Sequence, residues 1–185
     1  MKKLLLIVGL VLILGGGAYW YFTHQDSTSL SSQLQQTQPP YALPTLTQDY
    51  TNSAYKFALK MPADFTASDI PSGDPTQPGD TILLQDKNGN GIQIVISPFD
   101  EDTTGSYTLT QARILQDVPD MQITEAQPLV VGPNYTGLAF KSDNAAFGGA
   151  SREVWFVFRG NLYQISTYDR LDNLLKSIFQ TWQFQ

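Results

Sequence analysis

The sequence predicts an α+β fold: an antiparallel β-sheet of about seven strands with two packed helices, preceded by one N-terminal transmembrane helix. Three patterns support this prediction. An uncharged apolar run lies close to the N-terminus, period-2 alternation dominates after residue 48, and two later segments repeat apolar residues at helical spacing. We therefore expect a membrane segment over residues 1–22, a stalk over 23–48 and an extracytoplasmic domain over 49–185.

The apolar run extends from Leu4 to Phe22 and carries no charge. As a helix it reaches about 28 Å, close to the thickness of the hydrocarbon core. The two lysines before it then keep the N-terminus cytoplasmic, and the domain lies outside a membrane that the chain crosses once. The alternative is a cleaved signal peptide, since Gly16 and Ala18 suit a cleavage site, and the domain is then secreted.

The composition restricts the possible functions. Residues 23–48 are rich in Ser, Thr, Gln and Pro, which is typical of a tether. The chain has 11 Lys and Arg against 17 Asp and Glu, an acidic balance that disfavours nucleic acid as a partner. It has no cysteine and a single histidine, His24, so thiolate chemistry, a Ser-His-Asp triad and a multi-histidine metal centre are not available within one chain. We predict no catalytic residues and no cofactor.

The first half of the domain is predicted to contain two hairpins. The first is TQDYTN with AYKFALKMP, which ends at Pro62. Prolines and glycines then predict a loop over residues 68–80. The second hairpin is TILLQD with IQIVISPF, and its predicted register pairs Leu84 with Val95 and Asp86 with Gln93.

The turn of the second hairpin begins like a calcium-binding loop, because Asp86, Asn88 and Asn90 alternate before a glycine. The twelfth position of such a loop requires a bidentate carboxylate, but this chain has Ser97 there. The flanking residues are also strand-like, and Asn-Gly pairs favour a hairpin turn. A turn is the favoured interpretation, and the three side chains are only weak metal candidates.

A second acidic segment, PFDEDTTG, gives two further weak metal candidates, Asp100 and Asp102. Hard cations prefer carboxylate oxygens, but consecutive residues cannot all point at one ion without a special backbone. A solvated loop is favoured here.

Two helices complete the prediction. The first lies in YTLTQARILQDVPD, where Thr108 and Gln111 form a capping box and Pro119 marks the end. Its predicted buried stripe is Leu109, Ala112, Leu115 and Val118. The second helix spans about Arg170 to Trp182 and has a clean apolar face, which is typical of core packing.

Four more strands are predicted between the two helices. They are MQITEAQPLVV, NYTGLAFKSDN and the two arms of SREVWFVFRGNLYQISTYD, which are joined by a turn at Gly160 and Asn161. Val154 to Phe158 is apolar on both faces and is expected in the middle of the sheet. Arg152 and Glu153 are expected to be edge or surface charges.

Two patterns resemble the PsbP-like α+β family, which includes the extrinsic photosystem protein and bacterial membrane-attached relatives. YTNSAYKFALKMPADF, from Tyr50 to Phe65, is similar to the family's opening hairpin, with Phe65 at a position usually held by Trp. GNLYQISTYD with LLKSIFQTWQF is similar to its closing strand and C-terminal helix. The resemblance implies a fold over residues 50–185 and an adaptor-like or assembly-assisting role, and it implies neither a catalytic residue set nor photosystem binding.

The favoured hypothesis is a non-enzymatic, membrane-tethered extracytoplasmic domain that binds a protein or an envelope component. One alternative is a hydrolase that uses carboxylates such as Asp100 or Asp102. The other is a carrier of small ligands, for which the distinguishing feature is an apolar pocket between the sheet and the last helix.

Overall fold

The structure is a computed structural model that describes residues 41–70, 79–99, 101, 107–132, 135–144 and 147–185. The predicted membrane segment, most of the stalk, His24, Asp100 and Asp102 lie outside these residues. Within the described ranges, neither helix is both long and apolar enough to cross a bilayer.

The described chain forms ten β-strands and two α-helices. The strands are β1 Leu46–Asn52, β2 Phe57–Pro62, β3 Thr66–Ile70, β4 Asp80–Gln85, β5 Gly91–Pro98, β6 Thr124–Val131, β7 Tyr135–Ser142, β8 Ser151–Phe158, β9 Asn161–Tyr168 and β10 Gln183–Phe184. The helices are α1 Gln111–Asp117 and α2 Asp172–Gln180, and a 3₁₀ turn, Asp169–Leu171, leads into α2.

Seven strands form one antiparallel sheet in the order β3-β4-β5-β9-β8-β7-β6. The α+β prediction, with an antiparallel sheet of this size and two helices, is confirmed for the described residues. A second, three-stranded sheet in the order β1-β2-β10 was not predicted. It exists because the end of the chain returns to the opening hairpin, where Phe184 pairs with Phe57.

The larger core lies between the seven-stranded sheet on one side and α2 with the three-stranded sheet on the other. Its centre is aromatic: the rings of Phe57 and Trp182 stack at 4.4 Å, and those of Phe158 and Phe184 stack at 3.7 Å between centroids. Such contacts add to the free energy gained from apolar burial and hold β10 against the core. A smaller core on the opposite face of the sheet includes Ile114 from α1.

β8 lies between β7 and β9, and each of its residues is buried. The prediction that Val154 to Phe158 lies in the middle of the sheet is therefore confirmed. The prediction that Arg152 and Glu153 are edge or surface charges is wrong, because their side chains are only 5% and 0% exposed. Both faces of β8 are covered along its whole length, including the charged residues at its start.

The predicted register of the second hairpin is also wrong. Leu84 pairs with Ile92, and Val95 pairs with Thr81. The predicted pairs centre the turn between Gly89 and Asn90, whereas the observed pairs centre it on Asn88, and the backbone N–H of Asp86 donates to the carbonyl oxygen of Asn90 at 3.0 Å. Gly89 adopts φ +77° in this loop, as glycine does most readily.

The first helix begins later than predicted. Thr110 is its N-cap, and its side-chain oxygen accepts a hydrogen bond from the backbone N–H of Arg113 at 3.2 Å. Thr108 is therefore not the cap. The shift changes the buried stripe, so that Ile114 is buried while Ala112 is exposed. Leu109 remains buried, as predicted.

Three segment boundaries also differ from the prediction. Ser68 to Ile70, predicted as loop, belong to β3, and the end of the predicted stalk belongs to β1. The turn between β8 and β9 is formed by Arg159 and Gly160, with φ +49° and +73°, and Asn161 is already paired with Phe158. Two consecutive residues with positive φ are what a tight hairpin turn requires.

Candidate functional site

A groove lies between α2 and the β6-β7-β8 side of the large sheet. Its volume is about 350 Å³. Its apolar walls are Leu129, Val130, Ala139, Val154, Leu175 and Phe179, and its polar lining is Gln127, Arg152, Asp172, Lys176 and Gln180. The same helix also contacts β2 of the three-stranded sheet.

The outer wall of the groove is the edge strand β6. Most of its side chains are exposed, and Val130 is 71% exposed. Pro128 lacks a backbone N–H, and a bulge between Thr124 and Gln127, where Glu125 has φ +51°, interrupts the free edge. Both features oppose pairing with a further strand. The accessible feature of this region is therefore the groove and not the strand edge.

Arg152 lies at the polar end of the groove, since the alternation of β8 directs its side chain to the α2 side of the sheet. Its Nε lies 3.1 Å from Oδ1 of Asp172. That oxygen nevertheless has no hydrogen-bond donor, and no described residue accepts a hydrogen bond from the Arg152 guanidinium. The other oxygen of Asp172 is held by Lys176 Nζ at 2.6 Å. Arg152 is thus largely buried and ion-paired with Asp172, while its guanidinium has no hydrogen-bond acceptor among the described residues.

A neighbouring ion cluster is compensated internally. Lys141 pairs with Arg152 across β7 and β8, and its Nζ lies 3.2 Å from Glu125 and 3.4 Å from Asp169. The hydrogen bond to Glu125 and the charge of Asp169 raise the pKa of Lys141, so this cation is well matched by its own partners. Its two carboxylates do not compete for the Arg152 guanidinium.

Glu153 occupies the opposite face of β8. It accepts hydrogen bonds from Ser151 Oγ at 2.7 Å, Trp155 Nε1 at 3.2 Å, Asn144 Nδ2 at 3.4 Å and Ser166 Oγ. Burial raises the pKa of the Glu153 carboxyl above its ordinary value, although these hydrogen bonds act in the other direction. The carboxyl group is therefore buried but fully provided with partners from the protein itself.

The weak metal candidates of the second hairpin lie together in its turn. Asp86 Oδ1 accepts hydrogen bonds from the backbone N–H groups of Asn88 at 2.8 Å and Asn90 at 2.9 Å, and Oδ2 accepts one from Asn90 Nδ2 at 2.8 Å. Burial raises the pKa of Asp86, but these bonds outweigh it and lower the pKa overall. The geometry supports the interpretation as a turn, because both carboxylate oxygens already face N–H donors.

The other two metal candidates, Asp100 and Asp102, lie outside the described residues. Glu101 between them accepts hydrogen bonds from Tyr107 at 2.8 Å and from Arg113. In the part of the chain that the structure describes, no group of three His, Cys, Asp or Glu side chains is placed to hold a metal ion.

The sequence interpretation places Arg152 at the surface, and it names an apolar pocket between the sheet and the last helix only as a feature that would favour a ligand carrier. One usable signal was present: Arg152 shares its face of β8 with Val154 and Phe156, which are core residues under α2. That parity places the arginine beneath the helix. The long-range packing that leaves one side of α2 open has no comparable signature in the sequence.

The fold can be compared with known proteins. No protein-family model and no curated protein matches the chain. Among solved structures, it is similar to the solution structure of cyanobacterial PsbP (CyanoP) from Synechocystis sp. PCC 6803, with a TM-score of 0.51 and 13% sequence identity. The match covers 82% of this chain and 99% of that one. This agrees with the resemblance of the opening hairpin and the C-terminal helix, and the described part of the chain therefore has a PsbP-like fold.

Proposed function

We propose that this chain is a non-enzymatic, membrane-tethered extracytoplasmic domain that binds a cell-envelope component in the groove beside α2. The observation that carries the proposal is the groove itself, an apolar trough with a buried arginine at one end. Its volume falls in the range of about 300–1,000 Å³ that is typical of ligand sites. A few polar groups converging on apolar walls are also typical of such sites.

The tether in this proposal rests on the sequence. The uncharged run from Leu4 to Phe22 suits a single membrane crossing with a cytoplasmic N-terminus, and the stalk suits a domain held clear of the headgroups. Cleavage after Ala18 would release the same domain on the same side of the membrane. The proposed binding function is compatible with either outcome.

The non-enzymatic part of the proposal is supported by the chemistry of the groove. Its polar lining offers an arginine, a lysine, an aspartate and two glutamines. This set suits the recognition of a polar or charged group, and it contains no nucleophile paired with a base. An adaptor-like role is also what the PsbP-like resemblance implies.

Two kinds of envelope component fit the groove: a short segment of a protein partner and a small ligand. An apolar pocket between the sheet and the last helix is the feature that the sequence analysis expects of a ligand carrier. The groove has that position, because α2 and β8 form two of its walls. We therefore keep the carrier as the second candidate.

The test is affinity capture of the full chain from gently solubilised membranes, with proteins and extracted small molecules both identified by mass spectrometry. The groove variant is Ala139→Met, which places a larger side chain at a buried position of the groove wall. The control is Lys60→Gln, which changes only an exposed ion pair with Asp49 on the three-stranded sheet. We expect a component that is captured by the wild type and the control but not by Ala139→Met. Equal capture by all three chains would rule out the groove as the binding site.

A further inference from the structure

We infer that the groove takes a single-chain amphiphile with one carboxylate, its head on Arg152 and its apolar chain between α2 and β6. The inference rests on the proposed function in one respect, namely that the groove is a binding site. It adds the chemical class of the ligand.

The first argument is the unused hydrogen-bonding capacity of Arg152. Its side chain is 5% exposed, yet no described residue accepts a hydrogen bond from its guanidinium. None of its nitrogens is fully buried, so they reach solvent at the groove and are open to a ligand. The planar fork of arginine matches the two oxygens of a carboxylate. A carboxylate in the groove would complete this unfinished set of interactions.

The second argument is the charge of the ligand. The groove is lined by two cations, Arg152 and Lys176, and by one anion, Asp172. One additional negative charge balances these three. A phosphate monoester carries up to two negative charges and would place the excess beside Asp172, where like charges repel. A carboxylate therefore fits better than a phosphate.

The third argument is the apolar part of the groove. Its lining has no hydrogen-bonding side chain and consists of Leu129, Ala139, Val154, Leu175 and Phe179. An alkyl chain lying against them is removed from water, and each buried methylene strengthens binding by about fourfold. The two glutamines, Gln127 and Gln180, leave the rest of the rim polar. A ligand with a charged head and an apolar chain matches this division.

The test is calorimetric titration of the full chain in phosphatidylcholine nanodiscs at pH 7, with empty nanodiscs as the blank. The probes are octanoate, hexanoate, acetate, octan-1-ol and octyl phosphate. We expect octanoate to bind, hexanoate to bind more weakly by about fourfold per methylene, and acetate and octan-1-ol to give no heat above the blank. Octyl phosphate that binds as tightly as octanoate would overturn the assignment of a carboxylate.

Variants connect the binding to the groove. Arg152→Gln should weaken octanoate binding at least about tenfold, because charge-assisted hydrogen bonds are lost. The affinity of Arg152→Lys should fall between those of the wild type and Arg152→Gln. Lys60→Gln should bind like the wild type. Unchanged affinity in Arg152→Gln would refute the inference. Ala139→Met provides a second route if Arg152→Gln does not fold, since it leaves Arg152 in place and should still abolish the heat of octanoate binding.

The ligand class and the proposed function fail in different ways. Groove-dependent capture of a component from membranes, together with no octanoate binding, would reject only the ligand class. Octanoate binding that depends on Arg152, with no protein captured from membranes, would support the ligand class and confine the function to small-molecule carriage. If neither groove-dependent capture nor octanoate binding is observed, both proposals are rejected.

Discussion

Arg152 and Glu153 are adjacent in the chain, and β8 places them on opposite faces of the same buried strand. Glu153 receives hydrogen bonds from Ser151, Trp155, Ser166 and Asn144. The guanidinium of Arg152 forms an ion pair with Asp172 but has no hydrogen-bond acceptor among the described residues. The two sites show that burial of a charged group does not by itself indicate a binding site. The informative difference is whether the protein supplies the partners.

The largest expected effect concerns Glu153, whose hydrogen-bond partners all come from the protein itself. Glu153→Ala removes the acceptor that its hydrogen-bond donors share, and these donors become buried without a partner. We expect a loss of about 3 kcal/mol in the free energy of unfolding. Denaturant unfolding followed by circular dichroism measures it.

The control for this prediction is Glu153→Gln, which keeps the size of the side chain and one carbonyl acceptor. It should cost less than half as much as the alanine variant. Equal losses in the two variants would mean that packing, and not hydrogen bonding, explains the role of Glu153.

Asp86 extends the comparison to a carboxylate whose partners are backbone N–H groups near the surface. Asp86→Ala removes the acceptor for the N–H groups of Asn88 and Asn90, and we expect a loss of about 1.5 kcal/mol. The matched control is Asn88→Ala, which leaves the backbone N–H in place and should change stability by less than about 0.5 kcal/mol. A larger loss for Asn88→Ala than for Asp86→Ala would contradict this account of the turn.

Arg152→Leu tests the other residue of the comparison, whose guanidinium has no hydrogen-bond acceptor among the described residues. Asp172 keeps its contact with Lys176, and the new side chain joins an apolar surface. We therefore expect the free energy of unfolding to change by less than about 1 kcal/mol. Thermal unfolding beside Glu153→Ala gives the direct comparison, and a loss as large as that of Glu153→Ala would show that Arg152 has a structural role.

The sequence predicts the locally encoded parts of this fold. The strand character of Val154 to Phe158 and the apolar face of the C-terminal helix are periodic patterns that short segments carry by themselves. The three-stranded sheet could not be predicted in this way, because it pairs Phe57 with Phe184 at the far end of the chain. Thr108 and Thr110 are both acceptable caps in the sequence, and only packing decides between them.

The candidate site was harder to predict than the fold, for a physical reason. Charged residues at the start of a strand are usually exposed, so the sequence predicts surface positions for Arg152 and Glu153. Their burial depends on what covers each face of β8, and α2, which covers Arg152, follows later in the chain. Alternation along β8 places the two side chains on opposite faces, but it does not show which elements cover those faces.

The remaining expected effect is the dependence of stability on pH, to which Glu153 and Asp86 contribute with opposite signs. Burial raises the pKa of Glu153 above its ordinary value of 4.5, so the folded state holds this proton more tightly than the unfolded state does. Its contribution to stability is present in full below that value and is lost as the pH rises through the folded pKa. The lowered pKa of Asp86 acts in reverse, because its contribution is lost as the pH falls. Thermal unfolding of the wild type and Glu153→Gln from pH 4 to pH 8 separates the contribution of Glu153 from that of Asp86. We expect the variant to gain stability relative to the wild type as the pH rises, since its amide has no proton to lose, and a constant difference between the two curves would show that Glu153 does not titrate in this range.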